Sequence, residues 1–270
     1  MNVVTASAPG KVIVAGEYAV LDGAPAVCMA VNKRARVRIS RTDDKQHAVT
    51  APGFRSEPQY FSTIEEVSSE LPLLAAVWQQ SPPMVDHHLS IELDSQAFTA
   101  ASSRKLGIGS SAAIAVALAA ALNQIAGGDA DVVALAMQAH RQFQGGSGSG
   151  VDIACSARGG VVEYRMGGDP ATSRSWPMGL HYALLWSGQS ADTVAQIAKL
   201  DCGPKGATIQ FHNDKYPNPA GLVDFIKDQR GLAKVKDNKI VIRRDWKRTK
   251  DRVQGAFGVA RDLAAKARNA

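Results

Sequence analysis

The sequence predicts a mixed α/β (α+β) fold, because strand-like and helix-like segments follow one another along the chain. Residues 88–94 alternate polar and apolar side chains, which is typical of a half-buried strand. Residues 111–126 are almost wholly small and aliphatic, without glycine or proline, which predicts a buried helix. Residues 145–150 have the Gly/Ser composition of a flexible linker. They are too short for that role, so we expect them to join two ordered segments.

The other elements follow from the same patterns, taken in chain order. Residues 3–17 predict two short strands separated by a turn at Pro9-Gly10. The helix pattern over residues 64–80 contains Pro72, which either breaks the helix or starts a second one. Further strands are expected at residues 26–30, 35–40, 161–164 and 182–186, a further helix at residues 130–144, and another ordered segment at residues 151–157.

Length and composition indicate an ordinary globular protein. The 270 residues, 45% of them hydrophobic, suffice for one large domain or two small ones with a core. We find no run of 18 apolar residues and no secretory signal in the first residues, so we expect a cytoplasmic protein without a membrane partner. Cys28, Cys155 and Cys202 lack the spacing of a zinc site or a disulfide framework, which predicts reduced, structural thiols.

The net charge of +6 is unevenly distributed along the chain. Residues 1–200 hold 15 Lys and Arg against 17 Asp and Glu, whereas residues 201–270 hold 16 against 8. A basic segment favours an anionic partner, and nucleic acid is one candidate. Aromatic residues are sparse in this segment and no helix-turn-helix or zinc motif is present, so a solvated basic surface is the favoured interpretation.

The strongest chemical signal is the sequence Lys-Leu-Gly-Ile-Gly-Ser-Ser-Ala-Ala at residues 105–113, which leads into the predicted buried helix. Glycines let backbone N–H groups approach a ligand, and the positive end of the helix dipole attracts an anion. A lone Gly-x-Gly more often simply ends a strand before a serine helix cap. The residues assigned to phosphate binding are Lys105, Gly107, Gly109, Ser110, Ser111 and Ala112, with Ser111 also offering a hydroxyl to Mg²⁺.

These residues resemble the central motif of the galactokinase–homoserine kinase–mevalonate kinase–phosphomevalonate kinase (GHMP) family, which reads Gly-Leu-Gly-Ser-Ser-Ala-Ala in many members. Residues 8–21 are similar to the family's first motif, and residues 144–154 to the segment with its catalytic aspartate. The resemblance covers about residues 3–200. It implies a fold of the ribosomal protein S5 domain 2 type, ATP-dependent phosphorylation of a small acceptor, and ATP and Mg²⁺ as cofactors.

The resemblance assigns Asp152 as the base, or as the carboxylate that orients the attacking oxygen, and Lys11 as the cation that lowers that oxygen's pKa. Taken singly, Asp152 would be interpreted as a helix cap and Lys11 as a solvated charge. Three motifs in the family's order favour the catalytic roles. The residues assigned to the acceptor are Glu17, Tyr18, Arg141, Ser147 and Ser149.

Two positions make the chain more similar to phosphomevalonate kinases than to mevalonate kinases. Mevalonate kinases more often have histidine where this chain has Tyr18. They also place a metal-binding glutamate eleven residues before the catalytic aspartate, where this chain has Arg141. Arg141 is expected to meet a phosphate of the acceptor, although an exposed helical arginine is an equally good structural interpretation. Phosphomevalonate is therefore the favoured acceptor.

The family's glycine-rich third motif, Gly-Ala-Gly-Gly-Gly in many members, has no match in this sequence. Its absence leaves a second hypothesis open, a catalytically impaired nucleotide-binding or regulatory fusion protein. Residues 202–270 instead resemble the C-terminal domain of bacterial transcription-repair coupling factor. The matching segments are residues 203–213, 218–223 and 239–246.

The expected domains are therefore an ATP-binding domain at residues 1–165, the start of a second kinase half at residues 166–200, and a basic α+β unit at residues 201–270. The patterns in the basic unit predict a strand, a helix, a hairpin turning at Asp237-Asn238, and a second helix. The sequence does not predict an oligomeric state.

Overall fold

The structure is a computed structural model, and it divides the chain into two compact units, Met1–Ala191 and Asp192–Ala270. The residues that it describes are 3–17, 19–82, 87–146, 148–168, 171–176 and 184, together with the backbone of 208–210, 233–236 and 239–242.

The first unit begins with two long antiparallel strands, β1 (Val3–Ala15) and β2 (Ala26–Thr42). The prediction of two short strands in each of these segments is wrong. Pro9-Gly10 lies inside β1 instead of ending it. The register of the β1–β2 pairing shifts between Pro9 and Lys11, where β2 contributes extra residues opposite the irregularity. Gly10 serves close packing rather than a turn, since a Cβ at this residue would lie 2.5 Å from the carbonyl oxygen of Ile108.

Besides β1 and β2, the described residues of the first unit form the strands β3 His47–Ala51, β4 Arg55–Phe61, β5 His88–Asp94, β6 Val161–Tyr164 and β7 Thr172–Arg174. These seven described strands form one sheet in the order β4-β3-β5-β2-β6-β7, with β1 paired to β2. Only the β3–β5 pairing is parallel among these strands. The structure confirms the predicted strands β5 and β6, whereas β3, β4 and β7 were not predicted.

Among the α-helices described in the first unit, those over residues 110–125 and 132–143 lie where helices were predicted, whereas residues 151–158 were predicted only as an ordered segment. Pro72 starts a helix rather than breaking one, because the first helical residue needs no hydrogen-bonded N–H. Residues 64–67 before it form a short 3₁₀ turn instead of an α-helix. The helices are α1 Pro72–Gln80, α2 Ser110–Ile125, α3 Val132–Phe143 and α4 Val151–Arg158.

The core is centred on α2, which contacts β1, β2 and the three other helices. Twelve of its 16 residues are buried, as the run of small and aliphatic side chains predicts. A second, smaller apolar cluster lies under α4 and contains Cys28 and Cys155, both buried and free. A hydrogen bond with Cys155, together with burial, raises the pKa of the Cys28 thiol. Both are therefore structural thiols as predicted, while Cys202 lies outside the described residues.

In the second unit the structure describes a three-stranded antiparallel sheet in the order β8-β10-β9. The strands are β8 Thr208–Gln210, β9 Ala233–Lys236 and β10 Lys239–Ile242, which confirms the predicted hairpin. The helices predicted in this unit, and nearly all of the strand predicted at residues 182–186, lie outside the described residues. Within the described part of the chain, no helix combines the length and the apolar character needed to cross a membrane.

Candidate active site

Residues 105–109, the glycine loop, end at the N-terminus of α2. Gly109 is the N-cap residue, with a left-handed φ of 80°, and it has no side chain to cap the helix. The first intrahelical hydrogen bond of α2 runs from the Ala113 N–H to the Gly109 carbonyl. The preceding N–H groups, of Ser110, Ser111 and Ala112, thus have no partner within the helix. Such a helix terminus favours a bound anion.

The first strand holds Lys11 against this loop. The Lys11 N–H donates to the Ile108 carbonyl over 2.8 Å, which ties β1 to the loop. A Cβ on Gly109 would lie 2.9 Å from Cγ and 3.0 Å from Cε of Lys11, so the lysine side chain packs directly across the glycine. Glycine at residue 109 is therefore required twice, for the left-handed backbone and for the close approach of Lys11.

Lys11 reaches from the loop to the first turn of α4. Its Nζ lies 2.8 Å from an Asp152 carboxylate oxygen, and the two side chains are 13% and 22% exposed. Burial alone would lower the pKa of Lys11, but the Asp152 carboxylate outweighs it and raises the pKa above its ordinary value of 10.5. Asp152 also lies where the α4 dipole favours a negative charge. A partly buried, charged pair thus adjoins the loop.

The Ser111 hydroxyl at the start of α2 has a hydrogen-bond partner on α3. Its Oγ lies 3.0 Å from Nε2 of His140, whose side chain is only 2% exposed. Burial lowers the pKa of His140 below 6.5, and the positive charge of Lys11 acts in the same direction while Asp152 opposes it. The imidazole is therefore neutral at pH 7 and can donate or accept, depending on its tautomer.

Sequence reasoning assigned no role to His140. The available signal was weak: His140 shares the buried face of α3 with Ala136 and Ala139, so it is a polar residue on an apolar helical face. Its hydrogen bond joins α3 to α2, and the two bonded residues are 29 positions apart in the sequence, so no local sequence pattern predicts the contact.

A cleft with a cavity volume of about 160 Å³ opens beside the glycine loop. Ser110, Ser111 and Lys105 line it, whereas Lys11 and Asp152 are not among its lining residues. Lys105 Nζ lies 5.7 Å from the centroid of the Phe54 ring, at cation–π distance. Phe54 belongs to the turn between the two unpredicted strands β3 and β4. The apolar lining side chains include Phe54, Leu71, Leu74, Leu93, Ile114 and Phe143.

The residues assigned to the acceptor are only partly described. Arg141 donates from Nε to the Gly146 carbonyl over 3.1 Å, which places its guanidinium on the glycine-rich segment before α4. The Tyr164 hydroxyl donates to the Ser149 carbonyl over 2.7 Å and holds the same segment. Glu17 lies close enough to Lys11 for its negative charge to raise the pKa of the lysine. Tyr18 and Ser147 lie outside the described residues.

Part of the chain matches a known family model and a set of curated relatives. Residues 73–160 match the model of the GHMP kinases N terminal domain. The chain is 31% identical to the mevalonate kinase of Aeropyrum pernix over 182 residues, which are 63% of this chain and 52% of that protein. The chain thus spans about half the length of this curated relative.

Solved structures show the same fold. Methanococcus jannaschii mevalonate kinase superposes with a TM-score of 0.57 at 15% identity, covering 98% of this chain and 73% of that one. Streptococcus pneumoniae phosphomevalonate kinase, in complex with phosphomevalonate and AMPPNP, gives a TM-score of 0.52 at 19% identity, covering 60% and 50%. The mixed α/β unit that carries the glycine loop therefore has the fold of a GHMP-kinase N-terminal domain.

Proposed function

We propose that this chain binds ATP at the N-terminus of α2 and transfers its γ-phosphoryl group to a small acceptor held near Asp152. The observation that carries the proposal is the Lys11–Asp152 ion pair, which lies against the glycine loop that begins α2. Phosphoryl transfer is catalysed mainly by positioning and by neutralising charge. An anion-binding loop beside a lysine and a carboxylate offers both.

The nucleotide would be held by the loop and the cleft beside it. The N–H groups of Ser110, Ser111 and Ala112 would donate to phosphate oxygens, and the α2 dipole would add to the attraction. Lys105 lines the cleft next to these serines, where its charge can offset phosphate charge. The apolar wall around Phe54 suits a flat nucleobase.

Mg²⁺ fits this site as an ion that arrives with the nucleotide. Across the described residues there is no group of three or more His, Cys, Asp or Glu side chains that could hold a metal by itself. Mg²⁺ is commonly held by substrate phosphates, waters and one or two protein oxygens, and Ser111 would supply such an oxygen. When bound, the ion neutralises charge on the phosphates.

Lys11 and Asp152 would act on the acceptor. Asp152 would accept a proton from an attacking hydroxyl, or orient the attacking oxygen, and Lys11 would stabilise negative charge on that oxygen. The Asp152 side chain remains 22% exposed, so its carboxylate is accessible to an acceptor.

We further infer that the acceptor is phosphomevalonate rather than mevalonate. Arg141 lies in the last turn of α3, and its Nε donates to the Gly146 carbonyl on the segment that leads to Asp152. Its two Nη groups carry further N–H donors. A guanidinium binds a phosphate or a carboxylate through paired hydrogen bonds; both acceptors carry a carboxylate, and only phosphomevalonate also carries a phosphate. The comparisons include relatives of both kinds, so this preference rests on Arg141.

The experiment is an ADP-release assay of the purified chain with mevalonate, phosphomevalonate, homoserine and galactose. Phosphomevalonate should give the highest kcat/KM, and Arg141→Met should reduce it by about 10- to 100-fold, the value of a lost charge-assisted hydrogen bond. Arg158→Met is the matched control, because Arg158 is also an exposed helical arginine with one Nε hydrogen bond. A higher kcat/KM for mevalonate, or equal effects of the two variants, would refute the phosphomevalonate assignment.

A further inference from the structure

The start of α2 is held by a side chain that lies outside the nucleotide cleft. Ser111 lines the cleft, and its Oγ lies 3.0 Å from His140 Nε2. His140 is not among the residues that line the cleft, and its side chain is 2% exposed. It therefore cannot touch a bound nucleotide directly, and any effect on the nucleotide passes through Ser111.

We propose that His140 is a positioning residue, which fixes the direction of the Ser111 hydroxyl toward the phosphates of ATP and the accompanying cation. The inference rests on the proposed kinase function. A serine hydroxyl otherwise rotates freely and its side chain occupies three rotamers. A hydrogen bond to a buried ring nitrogen selects one of these arrangements before the ligand arrives, which removes an ordering cost from binding.

Either direction of the hydrogen bond leaves Ser111 useful to the ligand. If the hydroxyl donates to Nε2, both lone pairs of Oγ remain for a cation. If Nε2–H donates to Oγ, the hydroxyl hydrogen remains for a phosphate oxygen. In both cases the imidazole occupies one side of Oγ, so the ligand meets the opposite side.

The imidazole is itself held in place. It lies on the buried face of α3 with Ala136 and Ala139, and its ring centroid is 6.0 Å from that of Phe143. Turning it away from Ser111 would break the hydrogen bond and disturb a packed interface. Lys11 and Asp152 lie close enough for their charges to act on His140.

The experiment is a double-mutant cycle read by binding calorimetry with ATP, in the presence and absence of Mg²⁺. His140→Met removes the hydrogen bond with similar volume, His140→Gln keeps an amide near Nε2, and Ser111→Ala removes the other partner. We expect His140→Met to weaken binding of MgATP about tenfold, the equivalent of one hydrogen bond, with a smaller effect on ATP alone. His140→Gln should recover most of the loss. In the Ser111→Ala background, His140→Met should cause no further loss, because His140 acts through Ser111.

Several outcomes would overturn the inference. They are MgATP affinity unchanged by His140→Met, equal losses with and without Mg²⁺, or a full further loss in the Ser111→Ala background. If the wild-type chain binds MgATP and transfers phosphate while His140→Met does so equally well, the positioning role fails and the kinase proposal stands. If wild type does neither, the kinase proposal fails.

A second measurement does not depend on the folding of a His140 variant. The imidazole ¹⁵N signals of His140 in the wild-type chain should shift when AMPPNP with Mg²⁺ is added, and the shift should be absent in Ser111→Ala. Signals that do not respond to the nucleotide in wild type, or that respond equally in Ser111→Ala, would contradict the positioning role.

Discussion

Two helices of this chain begin alike and differ in what lies at their positive ends. α2 begins after Gly109 and α4 after Gly150, both in the left-handed conformation with φ of 80° and 86°. The first turn of α4 contains Asp152, which pairs with Lys11. The first turn of α2 contains no acidic residue, and no side chain caps it.

Under the proposed function, this difference gives the two helix ends different tasks. The N-termini of α2 and α4 both favour a negative charge, because each is the positive end of a helix dipole. At α4 the chain supplies that charge itself, and Lys11 fixes its position. At α2 the N–H groups of the first turn would be available to bind an anionic ligand. The N-cap residue is a glycine, and its lack of a side chain leaves the space that Lys11 occupies. The predictions below test this contrast.

The largest effect is expected where the charge of α4 is removed. Asp152→Asn should reduce turnover by about 10²- to 10⁴-fold, the usual contribution of a positioned acid or base, and leave ATP affinity nearly unchanged. Steady-state kinetics and calorimetry check the two parts, and thermal melting checks folding. Glu163→Gln is the matched control, since Glu163 pairs with Arg174 over 2.9 Å outside the site. Equal turnover in Asp152→Asn and wild type would refute the role of Asp152.

The next effect concerns the glycine that begins α2. Gly109→Ala should cost about 1–2 kcal/mol of unfolding free energy from the left-handed backbone. It should also displace Lys11, because the new Cβ would lie 2.9 Å from Lys11 Cγ. Gly127→Ala at the other end of α2 has the same backbone strain, with φ of 69°, but meets no atom within 4 Å. In urea unfolding, Gly109→Ala should lose as much unfolding free energy as Gly127→Ala or more. Only Gly109→Ala should lose turnover. Loss of turnover in both variants would argue against close packing of Lys11.

A smaller effect should separate stability from binding at α2. Ser110→Asp places a carboxylate in the first turn, as α4 already has, and should stabilise the fold by about 0.3–1 kcal/mol. The same charge should weaken ATP binding by at least about tenfold, because it repels the phosphates. Ser110→Asn, which is similar in shape and neutral, is the control. If Ser110→Asp binds ATP as tightly as Ser110→Asn, the phosphates do not lie at this helix end.

The smallest effect concerns a buried ionisable group outside both helix ends. His47 stacks on Phe61 at 5.0 Å and accepts a hydrogen bond from the Leu89 N–H at Nδ1. Burial, and then the charge of His88, lower the pKa of His47 below 6.5. The unfolded chain therefore binds this proton more readily, and stability should fall as the pH decreases through 6.5.

Denaturant unfolding at pH 7.5, 6.5 and 5.5 checks the pH dependence. His47→Phe keeps an aromatic ring beside Phe61 and removes the titrating group. Its free energy of unfolding should therefore fall less than that of wild type over this range, and the difference between the two should not exceed about 1.4 kcal/mol per pH unit. His140, whose pKa is also lowered, contributes in the same direction and leaves a residual slope. An identical pH dependence in His47→Phe and wild type would show that His47 does not titrate in this range.

Much of the fold could be predicted because the signals are local. The apolar run of α2, the alternation of β5 and the proline that starts α1 each lie within one element. The strands β3 and β4 were missed because long-range pairing stabilises them: β3 lies parallel to β5, some 40 residues away in sequence. The unbroken β1 was missed for a similar reason, since its neighbour β2 absorbs the Pro-Gly irregularity.

The candidate site divides in the same way. Lys11, the glycine loop and Asp152 were assigned to the site because each belongs to a contiguous motif that resembles a known family, and these assignments stay predictions. His140 and Phe54 were not found, because their relation to the site depends on helix packing and on a turn between unpredicted strands. The resemblance of residues 202–270 to a transcription-repair coupling factor domain stays a prediction.

The most direct test of the central claim is ³¹P NMR of the wild-type chain with ATP, Mg²⁺ and phosphomevalonate. We predict that ADP and a newly phosphorylated acceptor form in equal amounts, and that Asp152→Asn forms both at least about 100-fold more slowly. Binding of MgATP without a phosphorylated product from phosphomevalonate, mevalonate, homoserine or galactose would contradict the claim.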